Sequence, residues 1–191
     1  MESKRLYDYV ERLGELLRID LRQSGIEHGL QPVQLEVLHY LSVCNRYSDT
    51  AMAVTEYLGQ TKGTVSQTIK VLEQKGLVLR CVDDEDKRVS HLGLTAKGRQ
   101  LLVQLVPPPM LMAACDNFSQ KTREQISNAL DQLVTALLQG NGMKSFGVCH
   151  TCRYNRRTEE GGYYCNLVEQ PLSVGDVQLI CREHETEGAE Y

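Results

Sequence analysis

The 191-residue chain contains no apolar run approaching the roughly eighteen residues that a membrane-spanning helix needs. Its first residues, Met1-Glu2-Ser3-Lys4-Arg5, lead straight into a charged, periodic segment without the apolar core or small-residue cleavage site of a secretory leader. The expectation is a soluble, cytoplasmic chain with no membrane partner. An excess of positive charge is also missing: the net charge is -4 and the pI about 5.8, so any contact with nucleic acid has to come from a local patch. No nucleophile elbow, phosphate-binding glycine loop or zinc-protease helix occurs, and His28, His39 and His91 stand in no evident carboxylate or cysteine constellation. Nothing in the sequence supports an enzyme. Internal repeats and low-complexity tracts are absent as well.

What is present has the composition of an ordinary globular protein, with 41% hydrophobic and 24% charged residues. Leu6, Val10, Leu13, Leu17 and Leu21 recur at helical spacing, which predicts a first helix ending at Ser24-Gly25. Gln31-Pro32 opens a second, with Leu35, Leu38 and Leu41 on its apolar stripe. A short helix from about Ala51 to Leu58, stopped by Gly59, precedes a fourth from Thr61 to Lys75, which starts on a threonine cap and ends at Gly76. Two helices in this order form a helix-turn-helix. Leu77 to Val82 and Arg88 to Leu94, either side of a polar turn, read as a β-hairpin. A helix then runs from Thr95 to Val106, where Pro107-Pro108-Pro109 forces a break. Helical pattern returns over Met110 to Phe118 and over Thr122 to Leu138, and Gly140-Asn141-Gly142 reads as a hinge.

With Val65, Ile69 and Leu72 turned inward, the fourth helix presents Gly63, Gln67, Lys70 and Gln74, flanked by Thr64 and Ser66, to the outside. Small, amide and cationic groups suit a helix laid in the major groove, where glutamine and threonine bond base edges and lysine neutralises phosphate. A solvated polar face of no particular function is the plain alternative. Asp86-Lys87-Arg88 and Leu92-Gly93-Leu94-Thr95-Ala96-Lys97-Gly98 tip the balance, together with Thr61-Lys62-Gly63-Thr64-Val65-Ser66 and Leu72-Glu73-Gln74-Lys75-Gly76-Leu77. Over about residues 30 to 105 the chain resembles the MarR family of winged-helix regulators. The resemblance implies a mainly α fold with a small β-hairpin wing, a helical dimerisation region and a homodimer on double-stranded DNA. It further implies Thr61, Lys62, Gly63, Thr64, Ser66, Gln67 and Lys70 in the major groove and Lys87 and Arg88 as wing cations, with Asp86 orienting Arg88. A pseudo-palindromic operator with A·T flanks follows from a minor-groove arginine. The triple proline falls inside the family's long fifth helix and departs from its pattern.

Residues 1-140 are therefore expected to form the DNA-binding and dimerisation domain. Residues 141-191 are set apart by Cys149, Cys152, Cys165 and Cys181, spaced by two, about a dozen and about fifteen residues. Four thiolates so arranged suit one metal centre, and a tail with few large apolar side chains needs such a centre to organise it. In a reducing compartment ligation is a more natural use of clustered cysteines than disulfides. Zinc (Zn2+) is the first candidate. A [4Fe-4S] cluster is the second, because the spacing also resembles the small high-potential iron-sulfur proteins and Tyr154, Tyr163 and Tyr164 could shield a cluster. His150 and His184 are potential substitute ligands. The remaining thiols, Cys44, Cys81 and Cys115, read as small buried hydrophobes. The leading functional reading is a transcriptional regulator, a repressor responding to a small-molecule, metal or redox effector, whose Cys-rich tail is structural or sensory. A metal-handling or electron-carrying protein on a winged-helix scaffold, and a tail that docks another protein, are the competing readings.

Overall fold

The computed structural model describes residues 2–84 and 86–186. It opens with a long helix, α1 (Glu2–Glu27). The Ser24-Gly25 pair does not stop this helix. Gly25 is buried in the last turns, where a Cβ would lie 2.9 Å from the Leu30 carbonyl oxygen and 3.1 Å from Leu35. That glycine serves close packing, and the stop falls at Gly29, with φ +64° and the Leu30 N–H returning to the Gly25 carbonyl at 2.8 Å.

Helix α2 (Pro32–Val43) is the centre of the core and buries Leu35, Val37, Leu38, Tyr40 and Leu41. Helices α3 (Ala51–Leu58) and α4 (Lys62–Gln74) follow, each started by a threonine hydroxyl that accepts a backbone N–H: Thr50 from Ala53 and Thr61 from Thr64. Val65, Thr68, Ile69 and Leu72 turn the inner face of α4 into the core. Strands β1 (Val78–Val82) and β2 (Ser90–Leu94) pair antiparallel, Val78 opposite Leu94 and Val82 opposite Ser90. Only Val78, Leu92 and Leu94 of this hairpin are buried, so it is anchored at its base while its tip reaches into solvent.

Thr95 caps α5 (Ala96–Leu105), accepting from the Gly98 N–H at 3.0 Å and donating to the Gly76 carbonyl at 2.7 Å. Gly98 is packed against the wing's root, where a Cβ would sit 2.2 Å from the Leu77 carbonyl oxygen. The prolines end α5 at Leu105, the Val106-Pro107 bond is cis, and a separate helix, α6 (Pro109–Asp116), precedes α7 (Gln120–Gly140). Neither α6 nor α7 buries a residue within the chain. Their apolar side chains Met110, Leu111, Ile126, Leu130 and Val134 are exposed, as are Leu6, Val10 and Leu13 of α1.

The remainder forms a small three-stranded antiparallel sheet, β3 (Asn155–Arg157), β4 (Tyr163–Cys165) and β5 (Gln170–Leu172), between two single 3-10 turns at Cys149–Thr151 and Asp176–Gln178. The second turn replaces the strand that the β-favouring run Val177 to Ile180 suggests. The Asp176 carboxylate accepts from the Ser173 N–H and hydroxyl at 2.9 and 2.7 Å, which closes the chain tightly there, and Val177 is wholly buried. Beyond it Ile180 is extended, its N–H donating to the Val43 carbonyl at 2.8 Å and its carbonyl accepting from Asn45 at 2.9 Å. Phe146 stacks edge-on to Tyr40 and Tyr57, with centroids 6.1 and 5.2 Å away, and joins the main core. The segment after Gly142 is thus packed back onto α2 and α3. Among the described residues no helix is long and apolar enough to cross a membrane.

Candidate nucleic-acid interface and thiol cavity

Lys62, Gly63, Thr64, Ser66, Gln67 and Lys70 are all exposed on α4, on the side away from Val65, Ile69 and Leu72. Thr61 is exposed too, but its hydroxyl is engaged: it accepts the Thr64 N–H at 3.2 Å and lies 2.9 Å from the Thr64 hydroxyl. At the hairpin tip Asp86 grips Arg88 with both carboxylate oxygens, Nε to Oδ1 at 2.9 Å and Nη2 to Oδ2 at 2.8 Å, and also accepts the Arg88 backbone N–H at 3.0 Å. The guanidinium holds the Asp86 carboxyl below the usual carboxylate range. The Arg88 side chain is 90% exposed, so the pair aims the cation without burying it. Lys87 donates to the Asp83 carbonyl at 3.0 Å and lies 3.7 Å from Asp84. The outer face of α4 and the hairpin tip are thus each exposed, polar and furnished with lysine or arginine.

The four cysteines meet around one cavity of about 160 Å³, whose wall also includes Tyr47, Tyr154, Leu167, Val168 and Leu172. Cys149 and Cys152 are buried in and beside the first 3-10 turn, Cys165 closes β4, and Cys181 follows Ile180. Backbone hydrogen bonds fix two of these positions: the Cys149 N–H donates to the Leu179 carbonyl and the Cys181 N–H to the Gly147 carbonyl, both at 2.9 Å. Burial pushes the Cys149 thiol up to about 12, and the neighbouring Cys181, Cys152 and Cys165 add to the rise. Among the described residues no three His, Cys, Asp or Glu side chains stand close enough to share one metal ion. His184 is committed elsewhere, with Nδ1 2.7 Å from the Ser145 hydroxyl and Nε2 2.9 Å from the Thr151 hydroxyl, and burial lowers its pKa. His150 is exposed. Tyr154 lines the cavity; Tyr163 packs against the cluster of Cys149, Leu172 and Val177, while Tyr164 carries the Arg156 guanidinium 5.1 Å from its ring centroid.

Of the other thiols only Cys44 is fully buried, which pushes it up to about 12. Cys81 is exposed on the outer face of β1 and Cys115 is half-buried, because neither the wing nor α6 is covered on that side. Two polar constellations were invisible in the sequence. His91 does have carboxylate partners: Nδ1 meets Asp49 Oδ1, and Nε2 lies 3.0 Å from Asp83 Oδ2. These hydrogen bonds raise its pKa, that to Asp49 most, and they tie the wing to the loop before α3. Arg182 forms a two-pronged pair with Glu56 of α3, Nε to Oε2 and Nη2 to Oε1 both at 2.6 Å, and also reaches Glu183 at 2.7 Å. Only hairpin register, which sets His91 opposite Cys81 and near Asp83, gave any sign of the first. The second joins residues 126 apart in the chain.

A helix-turn-helix followed by an anchored hairpin and a capped helix defines a winged-helix DNA-binding fold. Residues 28–89 match the family model described as MarR family. The chain is similar to S. aureus MepR in its DNA complex, at 25% identity over 69% of this chain and 97% of that one, with a TM-score of 0.55. It is likewise similar to a MarR transcriptional regulator from Methanosarcina mazei Go1 (22% identity, 71% and 98% covered, TM-score 0.61). A third likeness is to wild-type MarR in its apo form from E. coli (19%, 67% and 96%, TM-score 0.53). The chain carries a winged-helix fold similar to that of these MarR-family proteins.

Proposed function

We propose that this chain is a sequence-selective DNA-binding transcriptional regulator that works as a homodimer and acts as a repressor, with a thiolate-ligated centre in its tail. The observation that carries the reading is the exposed polar face of α4, together with an arginine that Asp86 presents in a fixed, bidentate geometry. Lys62, Lys70, Lys87 and Arg88 neutralise phosphates or enter the minor groove, while Thr64, Ser66 and Gln67 face base edges. Thr61 acts through the helix cap and not through a base, since its oxygen already accepts the Thr64 N–H. That the MepR neighbour is recorded on DNA supports the same placement here.

Pairing of two chains is supported by the apolar stripe of Ile126, Leu130, Val134 and Leu137 on α7, with Leu6 and Leu13 on α1, all at least 43% exposed. Surfaces of that kind rarely stay bare in a lone soluble chain. Two-fold symmetry then sets two copies of α4 into successive major grooves.

Fluorescence anisotropy with genomic fragments selected by the protein, as a function of salt, tests this. Each neutralised phosphate contributes roughly 0.9 to the slope of log affinity against log salt. The Arg88→Ala variant is expected to lose affinity and to flatten that slope, and Gln67→Ala to lose discrimination while keeping the slope. A monomer by light scattering that binds no fragment better than competitor DNA would refute the proposal.

A further inference from the structure

The cavity between the four cysteines is an odd object for a small domain. At about 160 Å³ it has room for some five waters at roughly 30 Å³ each, yet Tyr47, Leu167, Val168 and Leu172 make much of its wall apolar. An apolar void of that size costs the fold stability unless something fills it. The second core cluster, Cys149, Leu172 and Val177, is too small to carry that cost unaided.

One zinc ion does not suit the space. Four thiolates at about 2.3 Å from a zinc ion lie roughly 3.8 Å from one another and leave no room between them. Here no three of the described cysteines are placed to share one ion, and all four line the cavity, coming from the 3-10 turn, the end of β4 and the returning segment after Ile180. A cubane of alternating iron and sulfide fills such a volume and takes one thiolate at each iron corner, each thiol losing its proton on ligation. Apolar walls and aromatic edges are what shield a cluster from solvent.

The fourth cysteine is also the one tied to the DNA-binding half. Immediately before it, Ile180 exchanges backbone hydrogen bonds with Val43 and Asn45 at the end of α2. Immediately after it, the Arg182 N–H donates to the Ser48 hydroxyl at 2.8 Å and the Arg182 guanidinium holds Glu56 of α3, the first helix of the helix-turn-helix. A ligand that positions Cys181 positions this pair.

We propose that the cavity binds a [4Fe-4S] cluster through Cys149, Cys152, Cys165 and Cys181, and that its presence adjusts DNA affinity through the Arg182–Glu56 pair. The first half stands independently of the regulatory reading; the second rests on it.

The full chain, purified without oxygen and reconstituted with sulfide and equal parts of ferrous and ferric iron, is expected to turn brown and hold four irons and four sulfides per chain. Cys165→Ser, on β4 and away from the Arg182 link, is expected to lose that stoichiometry while keeping helical circular dichroism. Colourless protein with one equivalent of zinc and no iron uptake would overturn the cluster assignment. Operator affinity is then compared between cluster-loaded and cluster-free protein. The wild type is expected to differ by about fivefold or more, a typical coupling between two sites. Glu56→Gln keeps the cluster and is expected to reduce the difference to near unity. A wild type with equal affinity in both forms, or a Glu56→Gln variant with an undiminished difference, overturns the coupling. Failure of both forms to bind any DNA fragment selectively would instead strike the regulatory reading and leave the cofactor standing.

Discussion

The winged-helix half and the thiol tail solve the same problem, ordering a chain, with different means. In the first, Leu35, Val37, Leu38, Val54, Ile69 and Leu72 are all but completely removed from water, and every helix around them starts or stops on a local signal. Burial of each such side chain contributes about 1.5–3 kcal/mol, so this half has its own reason to fold. In the second, the strands are three residues long and the buried apolar set is Cys149, Leu172 and Val177, beside a cavity. The tail borrows order by lodging Phe146 and Ile180 against α2 and α3. The difference teaches that one chain can place a robust reader beside a module whose order is conditional.

The largest test of that contrast is to take the proposed ligands away. Cys149→Ser with Cys152→Ser should release amide protection across β3 to β5 while the core around Val37 and Ile69 stays protected, because bound metal supplies most of a small module's folding free energy. Hydrogen exchange reads both halves at once; equal protection in the variant and the parent would show that the tail folds on packing alone. Next in size, Gly98→Ala should cost about 1–3 kcal/mol, since a methyl group there collides with the Leu77 carbonyl. An unchanged denaturant midpoint would mean that α5 slides freely along the wing root. Removing the cap with Thr61→Ala should cost about 1 kcal/mol of stability and weaken DNA binding through a frayed start of α4.

The smallest effect is a dependence on pH at the wing. His91 has its pKa raised by Asp49 and Asp83, so the stability it contributes is full below its ordinary value near 6.5 and fades as pH climbs through the raised one. Burial also raises Asp49, the His91 hydrogen bond opposing it, which tilts stability in the same direction at lower pH. His91→Gln should flatten the profile of hairpin exchange above the ordinary histidine value. Identical profiles in the two proteins would remove His91 from the account.

The reader half was largely legible in the chain because its signals are local: Thr61 as cap, Gly76 at φ +67°, the Val65–Ile69–Leu72 stripe and the proline break after Leu105 all act within a turn or two. Errors came where distant packing overrode them. Gly25 looked like a stop and is a contact, since the Leu30 carbonyl occupies the place of its side chain. Val177 to Ile180 is β-favouring by composition, but Asp176 closes a turn through Ser173 before the extended stretch begins. The spacing of four cysteines announced that they belong together, and no spacing could announce that Ile180 and Arg182 would land on α2 and α3, or that Asp49 would find His91. Partners separated by 126 residues leave no periodicity to read.

The fit of Gly98 under Leu77 has a mechanical meaning. With the Thr95 hydroxyl bonded to the Gly76 carbonyl at 2.7 Å and no space for even one methyl group at Gly98, the fifth helix and the hairpin root are a single lever. The α5 helix leads on through the proline elbow toward the α6 and α7 arm, so a shift of that arm that carries α5 along would swing the arginine tip by the same rotation. In the proposed homodimer, a change of spacing between the two α4 helices would therefore require no rearrangement within either winged helix, only a turn at the elbow.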